Sequence, residues 1–556
     1  MTQAGMTAIP ACGFARGASV VQQGSTMSER ELQHILIVGG GSAGWLTAAV
    51  IAAEHAAHPG ARVRVTLLES PDVAPIGVGE GTWPSMRDTL ARIGVSETDF
   101  VRECDVSFKQ GSRFNSWVDG SEDDHYFHPF VVPHGYGETN LAARWRQQHA
   151  NVPFADLVSV QPALCLSGKA PKQASTPEFA AVSNYGYHLD AGKFGLFLRR
   201  HCTEKLGVQH VVDHVDAVQP APDGDIAALL TRRGGPIAAD LFIDCTGSQS
   251  LLLGQHYGVE FLSQQHILFN DSALALQLPY PTEHSPIASQ TISTAQANGW
   301  IWDIGLPTRR GVGYVYSSAH SDDEQAGRVL QAYVRRTSPG QEVPTPRKLT
   351  FQPGYRARFW HRNCVAIGQS AGFIEPLEAS ALAMVELSAA TLADALPANR
   401  AAMDIAARRF NDAFSYRWER VIDFLKLHYV LSRRDDTRYW RDNRRAGTIP
   451  PRLKELLTLW RHQPPSRYDL HRIEEVFPAA SYQYILYGMG FETDYGSVPR
   501  GSDRPGLADA CFRDTQALAH KMLAGLPDNR SLIAHIKRHG LVPLQSQPHF
   551  PTSLSS

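Results

Sequence analysis

The stretch "HILIVGGGSAGWLTAAVIAAEHA", residues 34–56, switches from one hydrophobic pattern to another across three glycines. His34–Val38 is a short apolar run that fits a buried parallel strand. Residues 42–56 then read as a helix that is apolar almost all round, and "VRVTLLES" (63–70) supplies a second strand. Residues 35–69 therefore form one βαβ unit. Gly39, Gly41 and Gly44 satisfy G-x-G-x-x-G directly between strand and helix. Gly39 permits the tight turn, and Gly41 lets the N–H groups near Ser42 and Ala43 approach a pyrophosphate. Gly44 allows close helix–strand packing, and the helix start favours an anion. Glu69 ends the second strand, where an acid can bind ribose hydroxyls. This unit alone does not separate NAD from FAD.

Two further strand-to-glycine turns tilt the choice. "IDCTG" (243–247) carries Asp244 and Gly247, and "AIGQSAG" (366–372) carries Gly368 before another helix. The loop "PIGVGEGTWP" (75–84) adds Ile76, Gly77, Val78, Gly79 and Glu80, able to lie against a flavin ring. Glycine turns at three widely spaced points suit a long, extended FAD better than NAD.

Composition bounds the rest. A chain of 556 residues with 43% hydrophobic and 19% charged content is an ordinary globular protein with material for a large core. Net charge of −2 lacks the basic excess a nucleic-acid footprint needs. No apolar run approaches bilayer length. The first thirty residues lack a sustained apolar core behind a basic end, so they make a poor signal peptide. Seven scattered cysteines without a CxxC pair read as reduced thiols, which points to the cytoplasm. Beyond about 397 strand patterns fade and helical ones dominate.

At this point the chain resembles the flavin-dependent tryptophan halogenases, from about residue 34 to about 495. The resemblance rests on GGGSAGW (39–45), IGVGE (76–80), SFK (107–109), HYFHPF (125–130), GWIWDI (299–304), GYVYSS (313–318) and EPLEAS (375–380), in the family's order. It implies an α/β fold: a Rossmann-like FAD-binding domain of the flavin monooxygenase type with interleaved substrate-binding segments and a mostly helical C-terminal region. The expected division is a disordered tail over 1–33, and an FAD core over 34–396 interleaved with chamber segments near 100–182 and 260–340. A helical region over 397–535 and a tail over 536–556 follow.

The resemblance also implies a division of labour. FADH2 from a separate flavin reductase reacts with O2, and chloride or bromide is oxidised to hypohalous acid. That oxidant passes to a second chamber, where Lys109 holds or polarises it beside an electron-rich aromatic ring. Glu378 assists and stabilises the ring cation, while amides at Ser380 and Ala381 bind the halide. His128 and Phe130 sandwich the indole. Trp300 and Trp302, two apart on one face of a strand, keep the substrate from the flavin, so oxygen transfer to it is blocked. The partners implied are the reductase and a small indole-type aromatic, with no nucleic acid and no membrane; a homodimer is compatible.

Three departures matter. Gly305 stands where the family has proline, which predicts a looser turn. The halide loop reads Ala379-Ser380-Ala381 where the family has Ser-Thr-Gly, which predicts a restricted backbone and leaves bromide over chloride open. The family's clasp for free tryptophan is incomplete, with single Tyr468 and with Phe477 near the tryptophan's place. The expected substrate is thus an indole or another electron-rich aromatic. The alternatives are a flavin-dependent aromatic hydroxylase, which needs neither the tryptophans nor Lys109, and a non-catalytic flavin or aromatic binder. The His125/His128 pair lacks further metal ligands nearby, so no metal is assigned.

Overall fold

The computed structural model describes residues 31–73, 79–472, 475–495 and 503–543; Ile76, Gly77 and Val78 lie outside the described residues. His34–Val38 is buried at every position, as a strand covered on both faces must be. It pairs in parallel with Arg64–Glu69 on one side and Leu241–Asp244 on the other. Gln209–Val212 and Cys364–Ala366 extend the sheet in parallel, and Trp360–His361 closes one edge antiparallel. The chain thus runs to one side of this strand first and returns to its other side much later, and a crevice opens at its C-terminal end, where ligands bind in such sheets. The helix Ser42–His55 buries every residue from Gly44 to Ala52 between the helices Ala191–Glu204 and Ser380–Asp394. This explains its near-uniform apolarity.

A second, seven-stranded sheet is built from segments far apart in sequence. Its order is Arg347–Thr350, Ser272–Pro279, Arg309–Tyr316, Gly299–Gly305, Thr291–Gln296, Gly111–Asn115 and His125–Pro129. Strand alternation sorts the faces of Gly299–Gly305. Ile301 packs into a small cluster with Leu330 and Val334 of the helix Asp323–Thr337, and Asp303 bonds Arg310 and Tyr333. Trp300, Trp302 and Ile304 face the main core instead. A third sheet joins Gly79–Gly81, Gly186–Asp190 and Ser107–Lys109, and the long helix Arg400–Leu431 packs on Trp360–His361 of the first sheet while its His428 ring lies 4.7 Å from Phe114 of the second.

The expected tails are shorter than the composition implied. Leu32 is buried, and its N–H donates to Ala398 O. At the other end the helix Asn529–His539 continues past 535 with Ile536 fully buried. Asp528 caps its start, and Gly540, at φ 75°, ends it. Leu541 N–H then donates to Thr98. Buried apolar positions at helical spacing hold this end in place. The turn at Gly305 is not loose either: the strand runs through it and Ser107 Oγ donates to its carbonyl. A Cβ there would stand 3.0 Å from the Tyr280 hydroxyl and 3.1 Å from Ile287 Cγ2. Gly305 is a close-packing glycine inside a strand. Among the described residues no helix is long and apolar enough to cross a membrane, and the six described cysteines are buried and unpaired.

Candidate active site

A cavity of about 710 Å³ opens at the glycine turn, lined by Gly39 to Ala43, Glu69, Gly247 and Gly368 among others, and it extends to Ser380 and Ala381. The three glycines divide their work as the spacing predicts. At Gly39 (φ 115°) a Cβ would fall 2.2 Å from Cys245 O, and at Gly44 it would fall 1.9 Å from Gly39 O. A Cβ on Gly41 would meet nothing within 4 Å. Two glycines are therefore required by packing, and the third faces open space at the start of the helix Ser42–His55, where an anion is favoured. Glu69 lies beside Gly40, with one carboxylate oxygen held by His210 Nε2 at 2.6 Å. Gly368, at φ 73°, approaches Ala43. This cradle fits an extended dinucleotide. Gly44→Ala is expected to cost about 1–3 kcal/mol of stability from overpacking. Gly41→Val is expected to leave the melting temperature near wild type while abolishing flavin binding. Thermal melts paired with flavin titration check both.

One expected cofactor residue has a different job. Asp244 is fully buried, and its carboxylate accepts from Thr246, Ser370 and the N–H groups of Leu252 and Leu253. It ties the turn after its own strand to the 368–370 turn, so it shapes the cavity without facing it. Glu80 does line the cavity, and burial pushes its carboxyl up to about 7.

Across the cavity wall lies a second constellation. In the strand Gly79–Gly81 successive residues face opposite ways: Glu80 faces the cavity, and Gly81 faces Lys109. A Cβ on Gly81 would stand 3.2 Å from Lys109 Nζ and 3.3 Å from Ala379 Cβ. Lys109 is 1% exposed at the end of Ser107–Lys109. No hydrogen bond or ion pair engages Nζ among the described residues, and the Phe130 ring centroid is 5.2 Å away. Burial pushes its ammonium down to about 8, and the nearby Glu378 carboxylate opposes that shift. Asp105, the acid nearest in sequence, turns away to Thr308, Lys193 and Lys537.

Glu378 and Ala379 adopt left-handed conformations, φ 64° and 55°. Such positions cost about 1–3 kcal/mol each for non-glycine residues and gather at functional sites. Their effect here is to reverse the direction of the loop. Ser380 and Ala381, in the first helical turn, line the flavin-side cavity. The Glu378 side chain points the other way, where His128 Nδ1 is 2.9 Å from Oε1. His428 Nε2 stands 3.4 Å from the same oxygen without hydrogen-bond alignment. Burial opposes ionisation of Glu378, but the two histidines outweigh it and hold the carboxyl well below the usual range. Ala381 itself is helical, so the glycine missing there restricts nothing; the strained residue is Ala379.

His128 thus pairs with the acid as well as facing the aromatic cluster. Its ring lies 5.5 Å from Phe424 and 6.5 Å from Phe477. Phe477 is stacked on Phe424 at 3.8 Å, so one of its faces is already covered. Phe424 and His428 are four apart on the helix Arg400–Leu431 and share a face. His125, on the opposite strand face from His128, meets the carbonyl of Asp123 at 3.0 Å and the Phe127 ring edge-on at 6.2 Å. Sequence reading missed His428, Tyr126, whose hydroxyl is 2.7 Å from His428 Nδ1, and Trp83, whose Nε1 donates to Glu378 O at 2.8 Å. Trp83 and Tyr126 lay inside motifs already singled out, and His428 did not.

A sequence profile of the family described as tryptophan halogenase matches residues 34–499. The tryptophan 6-halogenase SttH of Streptomyces toxytricini is 33% identical over 84% of this chain and 90% of its own. The tryptophan 7-halogenase RebH of Lentzea aerocolonigenes is 31% identical over 92% and 99%. The crystal structure of a tryptophan halogenase from Shewanella frigidimarina superposes with a TM-score of 0.89 at 50% identity, covering 93% of this chain and 100% of that one. The glycine cradle and the walled-off lysine–glutamate pair are thus set in a matching fold over nearly the whole length, and the chain belongs to the tryptophan halogenase family, the flavin-dependent halogenases.

Proposed function

We propose that this chain uses FADH2, delivered by a separate flavin reductase, with O2 and chloride or bromide to halogenate an indole or another electron-rich aromatic, and not free tryptophan. The observation that carries the reading is the buried Lys109 beside Glu378, one residue layer away from the cavity of the glycine cradle. Gly39, Gly41, Ser42, Ala43, Gly44, Glu69, Gly247 and Gly368 would hold the flavin, which in its reduced form, FADH2, would supply the two electrons for O2 activation. Ser380 and Ala381 would present helix-start amides to the halide. Lys109, as an ammonium with no competing acceptor among the described residues, would donate a hydrogen bond to the hypohalous acid and so make its halogen more electrophilic. Glu378, kept ionised, would stabilise positive charge developing on the ring. Trp300 and Trp302 would exclude the substrate from the flavin, which weighs against the hydroxylase reading. A non-catalytic binder would gain nothing from a strained loop carrying a buried acid.

The substrate argument is one of charge. A zwitterionic amino acid needs buried polar partners for its two charges. Tyr468 is 78% exposed and pairs with the surface Arg467, while Phe477, His128 and Phe130 are aromatic and, among the described residues, no guanidinium is recorded against them to take a substrate carboxylate. The test is product mass from indole, tryptophan and phenol with bromide or chloride, using an added reductase. Halogenated indole with unreacted tryptophan is the expected result. Oxygenated products without halogen would overturn the halogenase reading.

The Lys109 ammonium also sets a pH dependence. Because the charged form is the donor, the halogenation rate is expected to fall as pH rises through about 8. Flavin binding should not follow that fall, because the acid lining its cavity, Glu80, titrates lower, at about 7. Single-turnover rates measured over about four pH units around that midpoint check it.

A further inference from the structure

The loop that carries Glu378 also carries a second buried acid, three residues earlier, that this mechanism does not use. Glu375 is 1% exposed. Its Oε2 accepts from Trp300 Nε1 at 2.7 Å, Tyr429 hydroxyl at 2.7 Å and Asn270 Nδ2 at 2.6 Å. Its Oε1 has no hydrogen-bond partner among the described residues. Asn270 is in turn fixed by the Tyr439 hydroxyl at 3.0 Å. Lys426, buried on the same helix as Tyr429, balances the charge at longer range and is held by Asn443 Oδ1 and Ile267 O at 2.8 and 2.9 Å.

We propose that Glu375 is a positioning residue that fixes the Trp300 indole, and through it the partition between the flavin cavity and the Lys109 chamber. The inference rests on the halogenase reading above. An indole has one polar atom, its N–H, so a single strong acceptor decides how the ring is turned about its side-chain bonds. A carboxylate acceptor makes the stronger, shorter kind of bond. Trp302 is wedged by packing alone, since a Cβ on Gly313 would fall 2.1 Å from its ring. Trp300 stands 6.5 Å from Trp302 in an edge-on contact and 6.4 Å from Trp117 in a tilted one, centroid to centroid. The hydrogen bond to Glu375 is what ties it to the loop bearing Glu378 and Ser380. One short loop thereby carries Glu378, the helix-start amide of Ser380 and the acceptor that holds Trp300, the ring proposed above to separate the two chambers. Burying a carboxylate oxygen with no partner is costly, and a cluster serving the fold alone would gain by sharing its donors between both oxygens.

The test is a double-mutant cycle with Glu375→Gln and Trp300→Phe, the latter keeping an aromatic ring but losing the N–H. The measured quantity is halogenated product per O2 consumed, with H2O2 and any oxygenated substrate counted alongside. Each single variant is expected to lower coupling about three- to tenfold, with the missing oxygen appearing as H2O2, and the double variant to be no worse than either single. A second readout needs no turnover. In protein carrying 5-fluorotryptophan, the resonance assigned to position 300 should shift and broaden in Glu375→Gln while the others hold. Wild-type coupling in either single variant, additive losses, or an unmoved Trp300 resonance overturns the proposal. If Glu375→Gln fails to fold, Trp300→Phe alone decides, because full coupling without the N–H leaves the carboxylate nothing to position. A wild-type protein that halogenates nothing would instead refute the function on which this rests.

Discussion

Lys109→Ala is expected to abolish halogenation while flavin binding persists unchanged. The ammonium is buried, points at the Phe130 ring and engages no hydrogen-bond acceptor among the described residues, so its removal breaks no ion pair needed for folding. A donor placed at a reacting atom is worth about 10²–10⁴ in rate, which puts the variant at or below detection. Lys109→Met, which keeps the chain's length without its charge, should match the alanine result and so exclude a cavity effect. The FAD cradle is formed by other residues, across the strand Gly79–Gly81. Flavin titration and product chromatography on the same preparation check the prediction, and loss of flavin with loss of product would remove the role assigned to Lys109.

Glu378→Gln is expected to lower turnover about 10²–10³-fold, the loss typical of one preorganised electrostatic group. The amide keeps the shape of the side chain and the bond to His128, but not the negative charge. It should also change the acid limb of stability. Burial opposes ionisation of Glu378, but the histidine partners depress its carboxyl below the range of an unfolded chain. Its contribution is therefore present above the unfolded value of about 4.3 and is lost as pH falls through the folded one. Melts of the glutamine variant should show a lower plateau at neutral pH and a flatter decline into acid. Near-wild-type turnover would take Glu378 out of the reaction, whatever the melts show.

The distribution of what was legible follows from the range of the interactions. Gly39, Gly41 and Gly44 could be read directly because the constraint is local: a tight turn, an open approach and a close crossing lie within six residues. The same holds for the alternating faces of Gly299–Gly305, where Trp300 and Trp302 share a side because a strand's period is two. Lys109 and Glu378 were found through motif resemblance; their neighbours in sequence say little, and Asp105, the obvious partner, is engaged elsewhere. Asp244 was misread because an acid at a strand end has two uses, and only the hydrogen bonds from Leu252, Leu253 and Ser370 distinguish them.

By itself the sequence determined the nucleotide-type βαβ unit, because its glycines depend on spacing within a short segment, and the order of its motifs pointed to the family and to Lys109 and Glu378, the two residues proposed to carry the chemistry. Only the tertiary structure decided that His128 is the partner of Glu378, that His428 stands beside them, and that Glu375 holds Trp300. The bonds from His128 to Glu378 and from Trp300 to Glu375 join residues 250 and 75 positions apart. A buried polar atom must find its partner wherever the folded chain brings one, and no local pattern records which of many distant donors that will be.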